Sequence, residues 1–315
     1  MNTRRTHTLL MTLFLVLISQ PFLSCTKEDM SDCPTGLQIK VQPDPTIFST
    51  YANRYTIDSV VIHVFDASDD RYVTSWTGGK YTPGRDYIAN IPLTTAGSYK
   101  FICWTNLGDF YKINHDIAYC EQNQPLSTNL HLYADYPADK IIRTIIPDLH
   151  YGAVTGIYNI GTPNADYTIN LSPNTYKLNF TIKGLPDQTH TYGFEIKDNN
   201  SHYNFDNTIV AGRADYRYFH STNTFYNSEL KQSLIELKLD SSRSPLFTFS
   251  DMTTSTDLYS HDLVDLITRA YTYGGQTLNF TATYEFDIVL HFDSQMNVSI
   301  TINGWNYSDS GGPLG

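Results

Sequence analysis

Apolar and polar side chains alternate at every second position along most of this chain, and that period admits little besides half-buried β-strands. It is cleanest in Tyr176-Lys177-Leu178-Asn179-Phe180-Thr181-Ile182-Lys183. Tyr176, Leu178, Phe180 and Ile182 share one face, the polar residues take the other, and Gly184-Leu185-Pro186 ends the run. The same period groups Ile235, Leu237 and Leu239, then Phe286, Ile288, Leu290 and Phe292, then Val298, Ile300 and Ile302. Earlier strands are expected at Val60 to Phe65, Tyr72 to Trp76, Tyr87 to Leu93 and Tyr99 to Trp104, with turn signals such as Gly78-Gly79 and Ala96-Gly97 between them. Many short strands with one apolar face predict antiparallel sandwiches rather than a parallel α/β sheet. Helical spacing occurs at Leu263, Leu266, Ile267 and Ala270 after Asp257 and Ser260, which predicts one short helix, and the loop Asn106 to Pro125 has room for another turn. The turn-rich run Gly161-Thr162-Pro163-Asn164 marks a seam. The expected body is therefore all-β, with one sandwich over 37–163 and a second over 164–315.

The N-terminus carries an address. Arg4 and Arg5 precede an apolar run from Leu9 to Ile18, broken only by Thr12. A charged stretch followed by so short an apolar one reads as a signal peptide over 1–24, because a spanning helix needs about 20 apolar residues. It ends Phe22-Leu23-Ser24-Cys25, which resembles a bacterial lipobox with Phe22 where Leu is usual. The expected lipidation site is thus Cys25, followed by a linker to residue 36. Several acyl chains on one cysteine exceed the two signals that stable anchoring needs. Thr26-Lys27-Glu28-Asp29 resembles the surface-export signal of Bacteroidetes lipoproteins.

Composition narrows the function classes. The 315 residues hold 21 Lys and Arg against 32 Asp and Glu, a formal charge of −11. Removing residues 1–24 takes away two arginines and no acid, so the mature chain is more acidic still. Such a chain has no general electrostatic route to nucleic acid or to an anionic lipid surface. No Gly-x-Ser-x-Gly elbow, His-Glu-x-x-His, phosphate loop or dinucleotide fingerprint is present, so no catalytic residue, cofactor or metal site is assigned and an enzyme is not expected. Glu285, Asp287 and His291 share a strand face, but it is the polar partner of an apolar one, and a solvated surface is the stronger reading. Asp66, Asp69 and Asp70 lack the alternating oxygen ligands of a calcium loop and read as a hairpin turn. Trp76, Trp104 and Trp305 are candidates for a sugar-stacking platform, against which stands ordinary core packing at strand ends. With Cys25 lipidated, Cys33, Cys103 and Cys120 remain, and one disulfide among them is expected, its pairing left open.

Several of these features recur in one order. They are Cys25, then Ser31-Asp32-Cys33-Pro34, the strand Val60-Val61-Ile62-His63-Val64-Phe65-Asp66, Gly97-Ser98-Tyr99-Lys100-Phe101 with Trp104 after it, and the closing Ile300-Thr301-Ile302-Asn303-Gly304-Trp305. Over the mature chain this order resembles the FimB-type anchor subunits of Bacteroidales fimbriae, the fimbrillin-associated anchor proteins. The resemblance implies two transthyretin-like β-sandwiches, a lipid tether to the outer membrane, and a place at the base of a fimbrium, whose growth the anchor helps to terminate. It implies a fimbrial stalk subunit as partner, joined by strand complementation, in which main-chain hydrogen bonds give affinity and alternate side chains give register. Stalk and tip subunits of that family open a groove when a protease removes an N-terminal strand after an Arg. Here no Arg lies between Cys25 and Arg54, so Leu37 to Val41 is expected to stay as a retained first strand. The segment after Gln276, ending at Asn297 to Trp305, is the expected partner surface, with Ile300, Ile302 and Trp305 as its candidate residues. The alternatives are a surface glycan-binding lipoprotein and a fimbrial tip or accessory adhesin.

Overall fold

The computed structural model describes residues 36–47, 56–82, 85–160 and 164–308; Cys25, Cys33 and Arg54 lie outside them. The chain opens with β1 (Leu37–Pro43), β2 (Val60–Asp66), β3 (Tyr72–Gly78), β4 (Tyr87–Ile91) and β5 (Gly97–Thr105). A connecting stretch carries β6 (Tyr111–Ile113), the helix α1 (Ile117–Asn123), β7 (His131–Ala134) and β8 (Ile141–Ile142) before β9 (His150–Tyr158) and β10 (Asn164–Pro173). The strands β3-β2-β5-β9 and β10-β1-β4 form two layers that join only at a corner, where Tyr151 and His150 of β9 meet Ser172 and Pro173 of β10. Alternate residues of both layers point inward, as a two-residue period requires. Ile62, Val64 and Phe101 thereby share one buried core with Leu37, Ile39, Val41, Ala89 and Ile91.

The second half runs β11 (Thr175–Lys183), β12 (Tyr192–Asp198), β13 (His202–Asn204), β14 (Tyr216–Thr222), β15 (Phe225–Tyr226), β16 (Glu229–Leu237), β17 (Leu246–Asp251) and β18 (Thr256–Asp262). Then follow α2 (Leu263–Tyr273), β19 (Glu285–Phe292), β20 (Val298–Ile302) and β21 (Trp305–Ser308). A six-stranded sheet, β15-β16-β11-β19-β20-β21, faces a five-stranded one, β18-β17-β12-β14-β8. Leu178, Phe180, Ile288, Leu290 and Ile300 meet Phe194, Ile196, Phe247 and Phe249 between them, with the Phe180 and Phe247 rings stacked at 4.5 Å. The predicted helix is α2, started by the Asp262 carboxylate, which accepts from the Asp265 N–H at 2.9 Å. Its Leu263, Leu266, Ile267 and Ala270 are all buried. The loop also holds α1, capped by Asp116, where the sequence left room for another turn.

Topology departs from the expectation in three places. Among the described residues three strand pairs are parallel: β1 with β10, β11 with β19, and β14 with β8. The seam at residue 163 moves as well. The strand beginning at Asn164 stays with β1 and β9, and the chain crosses to the next sheet at Asn174. Asn174 is buried there, its N–H bonded to the Leu149 carbonyl at 2.6 Å and its side chain paired with Asn207. Finally, the halves are fused. A three-stranded sheet, β13-β7-β6, joins the connecting stretch to the second half, and Phe65, Tyr72 and Trp104 belong to the core of Phe180 and Ile288.

The expected disulfide is corrected. Cys103 and Cys120 are both free and buried, which removes all three possible pairings. Cys103 lies in the core of the first sandwich and Cys120 in the larger core, so packing holds their sulfurs in different places. Burial raises both thiols, Cys120 to about 11, and keeps them unreactive.

Candidate functional site

The C-terminal edge of the six-stranded sheet is where the sequence places its candidate residues. Strand β20 pairs with β19 from Ile288–Ile302 to Phe292–Val298, and β21 folds back on β20 from Ile302–Trp305 to Ser299–Ser308. The expected terminal strand Asn297 to Trp305 is therefore broken in two. The reason is Asn303-Gly304, with φ of 47° and 85°, a two-residue turn whose positive angles suit Asn and Gly. That dipeptide between alternating apolar residues is a hairpin signal present in the sequence, and it identifies β21.

Asn303 also fastens the turn. Its Oδ1 accepts from the Asp287 N–H at 2.7 Å, while its Nδ2 donates to the Tyr271 hydroxyl at 2.9 Å and the Glu285 carbonyl at 3.2 Å. One side chain thus ties the hairpin to β19 and α2. Trp305 is half-buried and lies flat on Gly274, where a Cβ would come within 2.3 Å of the indole. Any larger residue at 274 pushes Trp305 off this seat.

Ile300 and Ile302 point the other way. Both are buried in the core between the two sheets, so they set the register of β20 and offer no side chain to a partner. The exposed groups at this edge include the Asn306 side chain. Strand β21 is the terminal strand of its sheet, and among the described residues no strand pairs with its outer edge. A row of main-chain donors and acceptors at a sheet edge is a template for one more strand.

Strand β1 has the opposite character. It is paired on both sides, with β10 from Gln38–Asn164 to Pro43–Leu171 and with β4 from Leu37–Ile91 to Val41–Tyr87. Leu37, Ile39 and Val41 are sealed in the core beneath it.

The remaining candidates take ordinary places. Trp104 is fully buried against Tyr151, Trp76 packs edge-on to Tyr87, and Trp305 covers Gly274, so the three tryptophans form no common platform. Asp287 and His291 are exposed on β19 and Glu285 is half-buried, with Asn179 donating to both Glu285 and Asp287 at 2.8 Å. Asp66 closes a turn by accepting from the Ser68 N–H at 2.7 Å, and Asp70 pairs with Lys100 at 2.6 Å.

Solved structures share this fold. A Bacteroides thetaiotaomicron protein provisionally described as polysaccharide-binding aligns with a TM-score of 0.71 at 18% identity, over 87% of this chain and 99% of that one. A protein from Bacteroides ovatus, provisionally described as an adhesin, aligns at 0.69 and 18% identity, over 88% and 96%. The fimbrial anchor protein Mfa2 from Porphyromonas gingivalis aligns at 0.66 and 18% identity, over 88% of this chain and all of that one. No curated protein matches the chain in sequence. The model of the fimbrillin-A associated anchor proteins Mfa1 and Mfa2 matches residues 30–311, and with that span matched the chain belongs to this family of fimbrial anchor proteins.

Proposed function

We propose that this chain is the basal subunit of a fimbrium, held in the outer membrane by lipid on Cys25 and joined to the last stalk subunit by strand complementation. In this reading it limits fimbrial length because it accepts no further subunit. The observation that carries the proposal is β1. A chain that polymerises by strand exchange needs both an empty groove and a strand to occupy its neighbour's groove. In this reading β1, hydrogen-bonded on both sides, fills the position that stalk subunits of such fimbriae vacate. Coupling in this reading runs through one surface, as suits a subunit at the end of a polymer. The unpaired edge of β21 supports placing that surface at the C-terminal hairpin.

Cross-linking tests the interface. With Cys33 replaced by Ala and a benzophenone maleimide attached to a cysteine introduced at exposed Asn306, irradiation of intact cells is expected to yield one adduct of anchor plus stalk subunit. A cysteine at exposed Ser233, on β16, is expected to yield none. If the adduct forms from Ser233 and not from Asn306, the coupling surface is elsewhere.

A further inference from the structure

A charge cluster is sealed inside the second half. Glu236 lies at an inward position of β16, fully buried, and neither of its carboxylate oxygens has a hydrogen-bond partner. Beside it, Asp198 ends β12. Its Oδ1 is taken by Arg243 and by the Asn199 N–H at 2.7 Å, while its buried Oδ2 has no partner. Arg243 gives Nη2 to Asp198 and to the Asn199 side chain, and nothing to Glu236.

The surrounding elements do not make up the difference. Tyr203 of β13 accepts from the Lys238 N–H at 3.2 Å, Tyr218 of β14 accepts from the Leu237 N–H at 3.0 Å, and Tyr216 is bonded to Asn200 and Tyr218. Lys238 turns its ammonium to the Asn207 carbonyl at 3.2 Å, Asp215 pairs with Lys197 at 3.0 Å, and Asp240 accepts from Ser242 at 2.6 Å. One guanidinium therefore faces two buried carboxyl groups. With both ionised, a carboxylate would be left without a partner in an apolar core, which is strongly unfavourable. A single proton removes the uncompensated charge, although the buried Arg243 Nε keeps no partner: Glu236 as the neutral acid donates to the orphaned oxygen of Asp198, which stays ionised against Arg243.

We propose that Glu236 and Asp198 share one buried proton, and that this pair, clamped by Arg243, is an alkali-sensitive latch tying β16 to β12 and to the loop that carries Arg243. Burial, and then the neighbouring Asp198 charge, hold the Glu236 carboxyl well above its ordinary range. The folded state thus keeps a proton that the unfolded chain gives up. Its stabilisation is complete below the ordinary Glu range and is lost as pH rises through the folded value.

The test uses the full-length protein in detergent, with infrared spectra at pH 7 and urea unfolding from pH 7 to 9. The wild type is expected to show the carbonyl stretch of a protonated carboxylic acid, absent from Glu236→Gln. Its folding equilibrium constant should fall more steeply with pH than the variant's, by up to about tenfold per unit, the linkage of one proton. Asp198→Asn is the second variant: with the Asp198 charge gone Glu236 faces Arg243 alone and is expected to ionise, losing the acid band and flattening the same slope. Should neither variant fold, the wild-type infrared band alone decides. Absence of that band, or equal slopes in wild type and Glu236→Gln, overturns the latch.

Discussion

Replacing Ile39 by Asp is expected to abolish cooperative folding of the first sandwich. Ile39 is fully buried at the centre of β1, between Leu37 and Val41, and packs into the core that also holds Ile62, Val64 and Phe101. A carboxylate there has no cation and no donor, and the apolar packing is lost as well, so the cost is more than about 4 kcal/mol. Ile39→Val, which removes one methyl group, is expected to cost only about 1 kcal/mol. Denaturant unfolding of both variants measures this. The contrast matters for function because β1 is argued to be structural. If Ile39→Asp leaves the unfolding transition in place, β1 is a detachable flap, and the case for a filled groove fails.

Cys25→Ala is expected to release the protein, and the fimbriae it holds, into the medium. The anchoring free energy resides in the acyl chains, at about 0.8 kcal/mol for each buried CH₂, and without Cys25 none of it remains. The acidic body offers no electrostatic substitute at an anionic surface, since its formal charge is already −11 with the leader included. Immunoblots of cells and supernatant should show at least a roughly tenfold shift toward the supernatant, on the scale set by that lost anchoring energy. Retention on the cell would mean that another segment holds the chain.

Much of this architecture could be read from the sequence, and the failures have physical causes. Periodicity located β11, β19 and β20 because each buries one face, the turn signals helped to bound β2, β3 and β5, of which β2 is buried on both faces, and the apolar stripe Leu263, Leu266, Ile267 and Ala270 located α2. Strand β16 shows where the method misleads. Alternation there picks out Ile235, Leu237 and Leu239, and Leu237 and Leu239 are buried, yet Ile235 is half-exposed, and the positions paired with inward Leu178 and Tyr176 are Leu234 and Glu236. A charged residue at an inward position, with Leu237 buried beside it, masks the phase of its strand. The parallel pairings of β1 with β10 and of β11 with β19 were out of reach for a different reason. They join segments more than 100 residues apart, and alternation along one strand carries no information about its neighbour's direction. Of the candidate interface, Trp305 was legible as a partly apolar strand residue. Ile300 and Ile302 were legible only as strand residues, since period alone does not distinguish a face turned to a partner from one turned to the core.

The most direct test of the anchor role is electron microscopy of cells lacking this gene, with cell-bound and shed fimbriae counted separately and their lengths measured. The account predicts long fimbriae, most of them detached, and the same shedding from cells carrying Cys25→Ala. Fimbriae of normal length and attachment would contradict it.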